Sequence, residues 1–277
     1  MTGIDAHQHF WSYDAVAYDW IGDEMAVLKR DFLPPDLAPL LADQDLAGCV
    51  AVQARQTDEE TDFLLELARE HEIVVGVVGW LDLRSDQLER KLADYTPFPK
   101  LKGIRHIVQA EADPDFMLQD AFLRGVRLLA KAGLTYDILV TEKQFPMVLR
   151  FLEQCPDQPF VLDHLGKPII AEGPSKDWSD GIRHMAEHPQ VYCKVSGLVT
   201  EADWTNWSSA EFIPFLDVVF EAFGPERVMY GSDWPVCLLA ADQYQTVYQL
   251  VDEYTRQLTE TERAAFFGGN AQNFYKL

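Results

Sequence analysis

The chain has 277 residues, 48% of them hydrophobic, with 23 Lys and Arg against 45 Asp and Glu and a formal net charge of −22. That length fits one large domain or two small ones. A surface this acidic argues against nucleic acid, whose phosphates need a basic footprint, and against anionic membranes; it is compatible with a neutral substrate that becomes an acidic product.

The first predicted strand is 4–9, Ile-Asp-Ala-His-Gln-His. Residues two apart on a strand share a face, so His7 and His9 form an imidazole pair suited to metal ligation or to bonding a substrate oxygen. A second apolar run covers 48–53, and Thr57 to Glu60 then make a capping signal for a helix through about residue 70. The third strand is 73–79 and the fourth, 101–106, carries Arg105 and His106. A helix over 116–131 places Phe122, Val126 and Leu129 at helical spacing and stops at Gly133. The fifth strand, 135–140, contains Tyr136 and Asp137, of which alternation turns only one inward. A helix over 143–155 leads to a sixth strand, 160–163, followed directly by His164. After a helix over 178–188, the seventh strand, 191–196, holds Lys194 between Cys193 and Val195. Ser208 to Glu211 cap the next helix, which ends near Gly224. The eighth strand, 228–231, runs into Ser232-Asp233-Trp234; helices over 242–257 and from Thr259 to before Gly268 follow.

Eight short apolar strands alternating with helices predict an α/β fold, a (β/α)8 TIM barrel, as a single domain over 1–277. An open doubly wound sheet is the runner-up, but no GxGxxG or GxxxxGK[ST] turn is present. In a barrel, functional residues stand at the C-terminal ends of strands, and closure brings the first strand beside the last. His7, His9 and Asp233 are therefore expected to converge from opposite ends of the chain. The four cysteines, Cys49, Cys155, Cys193 and Cys237, have no zinc-ribbon spacing. There is no leader pattern and no apolar run of about 18 residues, so the expected compartment is the cytoplasm.

Six segments carry a family resemblance: DAHQHFW (5–11), KGIRH (102–106), VLDHLGKP (161–168), KVSGL (194–198), YGSDWP (230–235) and GGNAQNFY (268–275). Together they resemble the amidohydrolase superfamily, and within it the sugar-lactonase branch of L-fuconolactonase- and L-rhamnonolactonase-like proteins. The resemblance implies a barrel that hydrolyses an ester or amide, with His7, His9, His164 and Asp233 in its active site. Metal-rich members add a lysine or glutamate on strand four and often a histidine on strand five. Here those strands offer Arg105-His106 and Tyr136-Asp137, and arginine does not ligate metal. His7, His9 and Asp233 remain as ligands for one optional divalent ion such as zinc, with His164 a fourth; the related lactonases imply that the metal is dispensable.

A lactone is an activated ester that needs a positioned water, a base and charge stabilisation on the carbonyl oxygen. Asp233 is the candidate base, and Arg105, His164 and the His7/His9 pair are candidates for stabilising the oxyanion. Arg55 and His106 follow or end strands and are candidate substrate contacts. Lys194 is a substrate donor or an ion-pair partner of Asp163, the ion pair being preferred. Trp11, Trp80, Trp204 and Trp234 lie in strand-end segments, where flat faces suit sugar C–H groups. The leading reading is hydrolysis of a neutral sugar-acid lactone. The alternatives are a metal-dependent decarboxylase, a hydrolase of a carboxylated lactone from aromatic catabolism and a non-catalytic sugar-binding barrel. A homo-oligomer is left open.

Overall fold

Eight parallel strands, hydrogen-bonded in sequence order, form a barrel inside a ring of helices in a computed structural model that describes residues 3–277. The strands are β1 (Gly3–Gln8), β2 (Leu46–Val52), β3 (Val74–Gly79), β4 (Leu101–Ile107), β5 (Thr135–Leu139), β6 (Phe160–Leu162), β7 (Val191–Val195) and β8 (Val228–Tyr230). The helices are α1 (Pro34–Ala42), α2 (Asp58–Glu70), α3 (Leu88–Tyr95), α4 (Asp120–Ala132), α5 (Phe145–Gln154), α6 (Lys176–Ala186), α7 (Ser209–Phe223), α8 (Tyr244–Thr255), α9 (Glu260–Ala264) and α10 (Asn270–Tyr275). This is the expected single-domain (β/α)8 barrel. α1, α3 and α10 were not expected: α1 opens on Pro34-Pro35 and holds Pro39, and α3 and α10 span only 8 and 6 residues, too few for a clear periodic signal. Among the described residues no helix is long and apolar enough to cross a membrane.

Capping sets several boundaries. Thr57 accepts the Glu60 amide at 3.2 Å to open α2, and Ser208/Glu211 and Thr259/Glu262 form capping boxes ahead of α7 and α9. The large apolar cluster lies between strands and helices. A smaller one fills the barrel, where Ile4, Ala6, Val50, Val52, Val78, Val161 and Met229 pack with Phe274 and Tyr275 of α10. α10 thereby closes the floor of the barrel.

The β1–β8 seam closes through a short bridge rather than a full ladder. Gln8 pairs in parallel with Trp234, the His9 amide donates to Trp234 O at 2.7 Å and the Asp233 amide donates to His7 O at 2.8 Å. Asp5 adds a side-chain staple. Its Oδ1 accepts the amides of Ser232 (2.9 Å) and His7 (3.1 Å), and its Oδ2 accepts the Tyr244 hydroxyl from α8 at 3.0 Å. Only glycine fits at 231, because a Cβ there would stand 2.6 Å from His7 Cβ.

Candidate active site

Strict alternation along β1 would group His7 with Asp5, which bonds outward to α8. The β1–β2 register shifts between Asp5 and Gln8, and that irregularity turns His7 inward while Ile4 and Ala6 keep their places in the interior cluster. On β4, Arg105 points inward; on β5, Asp137 does so while Tyr136 packs outward among Phe122, Phe151 and Phe160. β6 delivers Asp163 and β7 delivers Lys194.

These side chains build a layer of charge above the floor. Lys194 Nζ lies 2.5 Å from Asp137 Oδ2, 3.0 Å from Asp163 Oδ1 and 3.1 Å from His7 Nδ1. The Tyr275 hydroxyl donates to Asp137 Oδ2 at 2.7 Å. Asp163 Oδ2 accepts from Arg105 Nη1 at 3.0 Å, and Arg105 Nη2 donates to Gln53 O and Oε1. Burial pushes the Asp163 carboxyl up, but Lys194, then His7 and Arg105, outweigh it and hold the group well below the ordinary value. Two cations and two carboxylates thus compensate one another in the buried interior of the barrel.

Above this layer three imidazoles surround Asp233. His9 Nε2 stands 3.3 Å and His7 Nε2 3.8 Å from Asp233 Oδ1, with His164 Nε2 at 4.0 Å. The His9 Nδ1–H donates to Val52 O at 2.7 Å, which turns Nε2 toward Asp233. His164 Nδ1 meets Ser196 Oγ at 2.9 Å. Burial lowers the His164 imidazole to about 4 against the pull of Asp233, so it is neutral near pH 7. Burial also opposes charge on Asp233, but His164, His9 and His7 overcome it and the carboxyl is held well below the ordinary value. His164 (φ 53°), Leu165 (54°), Lys167 (52°) and Asp233 (56°) all adopt left-handed backbone, which is uncommon outside glycine and concentrates here in the two loops that present His164 and Asp233.

A cavity of about 650 Å³ opens over this cluster, and His9, Arg105, His164 and Asp233 reach its wall, as does Arg55. Arg55 is held by buried Glu60 at 2.9 Å. The other candidates are placed elsewhere. Lys194 is fully buried in the charge layer, as the ion-pair alternative expected, and does not line the cavity. His106 follows inward-facing Arg105, so alternation sends it outward, where it stacks on Phe116 and bonds Glu111 at 2.7 Å. Trp80 donates to His106 Nδ1 at 3.2 Å on that same side. Trp11 and Trp234 pack edge-on against Phe32 beneath the seam. Trp204 donates its indole N–H to Thr200 O in its own loop. The aromatic side chain on the cavity wall is instead Trp20, 38% exposed, accompanied by Val16, Asp19, Gln56 and Lys167. Lys167 is paired with Glu201 at 2.9 Å. Trp20 lies in an aperiodic segment that gives no sequence signal; Lys167 sits within the LDHLGKP motif, which was its one available cue.

His7, His164 and Asp233 each offer a ligand atom within 4.8 Å of the others, and His9 Nε2 is 3.3 Å from His7 Nε2. Imidazole nitrogens and a carboxylate converging on one buried point suit a divalent cation.

The amidohydrolase family model Amidohydro_2 matches residues 4–277. The chain belongs to the amidohydrolase family. This amidohydrolase is 46% identical to an L-fucono-1,5-lactonase of Burkholderia multivorans (strain ATCC 17616 / 249), over 99% of this chain and 96% of the relative. It is 37% identical to an L-fucono-1,5-lactonase of Burkholderia ambifaria, over 99% and 95%. A crystal structure of an amidohydrolase from Burkholderia multivorans with bound zinc superposes with a TM-score of 0.97 at 45% identity, covering 100% of both chains.

Proposed function

We propose that this amidohydrolase opens a sugar-acid lactone of the L-fucono- or L-rhamnono-lactone type to the free acid. The observation that carries the reading is the convergence of an ionised, buried Asp233 with His9, His164 and Arg105 on one cavity wall. The full-length L-fucono-1,5-lactonase relatives support the substrate.

Asp233 takes a proton from the attacking water as the water oxygen bonds to the lactone carbonyl carbon, a role that contributes about 10²–10⁴ in rate. Arg105 and His164 meet the negative charge that develops on the carbonyl oxygen, each such donor being worth about 10²–10³. The ring C–O bond then breaks. Protonated Asp233 then returns its proton to the departing ring oxygen. Product release is favoured by the acidic protein, whose field repels the new carboxylate. Trp20 and Arg55 bind the sugar ring from the cavity wall.

His7, His9, His164 and Asp233 would hold a divalent ion such as zinc, which would supply Lewis acidity to the carbonyl oxygen. The chemistry assigned to Asp233, Arg105 and His164 does not depend on it. A carboxylated lactone would need free cations, whereas Arg55 and Lys167 are already paired with Glu60 and Glu201.

A panel of L-fucono-1,5-lactone, L-rhamnono-γ-lactone and a dicarboxylated pyrone lactone, read by acid release, tests the reading. Turnover of the neutral sugar lactones far above the dicarboxylate supports it; preference for the dicarboxylate replaces it with the carboxylated-lactone reading.

A further inference from the structure

Two glutamines that follow β2, Gln53 and Gln56, bond to β4, which lies beyond β3 in the sheet. Gln53 is spent at both ends of its amide: Nε2 donates to Arg105 O at 3.3 Å, and Oε1 accepts from Arg105 Nη2 at 3.0 Å. Gln56 is spent at one end. Its Oε1 accepts the Ile107 backbone amide at 2.8 Å. A backbone N–H can only donate, so the atom that meets it is the side-chain carbonyl oxygen, and the NH2 group turns away from Ile107. Gln56 is half-buried, and it and Ile107 both line the cavity. Among the described residues no group accepts from Gln56 Nε2.

The wall's cations are engaged, because Arg55, Arg105 and Lys167 face Glu60, Asp163 and Glu201. Trp80, which follows β3, bonds His106 away from the cavity and leaves the gap between β2 and β4 to Gln56. Gln109 also reaches the wall, but it is exposed and no bond among the described residues orients its amide. Gln56 is therefore a neutral donor whose direction is set before substrate arrives, so little side-chain freedom is lost when it binds. A neutral N–H suits a hydroxyl oxygen, whereas a carboxylate would call for a free cation.

We infer that Gln56 is a specificity-determining residue, donating its side-chain N–H to one ring hydroxyl of the lactone while its carbonyl stays on Ile107. The inference rests on the sugar-lactone reading above and adds to it the group that selects a hydroxylated ring. A lactone without that hydroxyl leaves the donor unpaired against the bound ring, and the site rejects it for that reason.

The test is kcat/KM of the parent and of Gln56→Met for L-fucono-1,5-lactone and for the analogues that each lack one ring hydroxyl. The parent should lose about tenfold on one analogue. Gln56→Met should lose about tenfold on the full lactone and nothing further on that same analogue. A loss that is equal on every lactone would mean that Gln56 acts only by holding Ile107, and would overturn the inference, as would no loss in the folded variant. If Gln56→Met does not fold, a crystal structure of the parent with the matching lactam, an amide far less reactive than the ester, decides. Gln56 Nε2 should stand within about 3.2 Å of a ring hydroxyl oxygen; a bound ring with no hydroxyl in reach overturns the inference. A parent that opens no sugar lactone fails at the earlier step, and the substrate reading and this inference fall together.

Discussion

At the scale of single residues, Asp233 joins a left-handed backbone, a hydrogen bond donated by its amide to His7 O and a carboxylate ringed by imidazoles. Asp233→Asn preserves size and the backbone bond but removes the basic oxygen. Its kcat should fall by about 10²–10⁴ with a smaller change in KM, because the lost interaction belongs to the transition state. A variant with normal kcat and a lowered Tm would reduce Asp233 to a turn residue. Asp5, two positions before His7, behaves differently. Burial pushes its carboxyl up to about 6 despite four hydrogen-bond interactions that lower it. The unfolded value is about 3.9, so protonated Asp5 stabilises the fold below that pH, and the contribution is lost as pH rises through 6. Asp5→Asn keeps an acceptor for the two amides and carries no charge. The stability of the parent relative to this variant should therefore decline between pH 4 and pH 6.5 in thermal melts. A difference that stays flat across that range would show that Asp5 carries no burial cost.

At the scale of elements, the seam between β1 and β8 sets the distance from His7 to Asp233, and Gly231 is its narrowest point. A Cβ there would also meet Ser196 Cβ at 3.1 Å, and neither neighbour is a flexible side-chain tip. Gly231→Ala should push the β8 loop off β1, at a cost on the order of 1–3 kcal/mol, lowering Tm by several degrees and kcat at least tenfold. Unchanged kcat would mean that the seam does not tune the site. The strands were legible in the sequence because buried parallel strands read as short β-branched runs, as in residues 48–53 and 73–79. The meeting of His7 with Asp233 followed from closure alone. The β1 irregularity was not legible, since alternation by itself groups His7 with Asp5. On β4, alternation does separate Arg105 from His106, so placing both in the site, Arg105 at the oxyanion and His106 as a substrate contact, ignored a constraint that the sequence already supplied. The tryptophans misled for another reason. A large ring after a strand serves the seam as readily as the cavity, and Trp11 and Trp234 pack on Phe32 while Trp20, in a segment without periodicity, reaches the wall.

At the scale of the whole molecule, a chain of net charge −22 encloses its compensated cations in the barrel and in the cavity wall. The acidic exterior suits a neutral ring entering and an anion leaving. In the proposed mechanism the barrel supplies the base from β8, the imidazoles from β1 and β6 and the guanidinium from β4, and that proposal calls on no group that the chain lacks. The direct test of that claim is the rate of acid release from L-fucono-1,5-lactone by protein chelated until metal analysis finds less than about one ion per hundred chains, a level set by the ~10²-fold contribution expected of one oxyanion donor. The account predicts that such protein retains most of its kcat. Complete loss of turnover, restored in proportion to one equivalent of zinc, would contradict it.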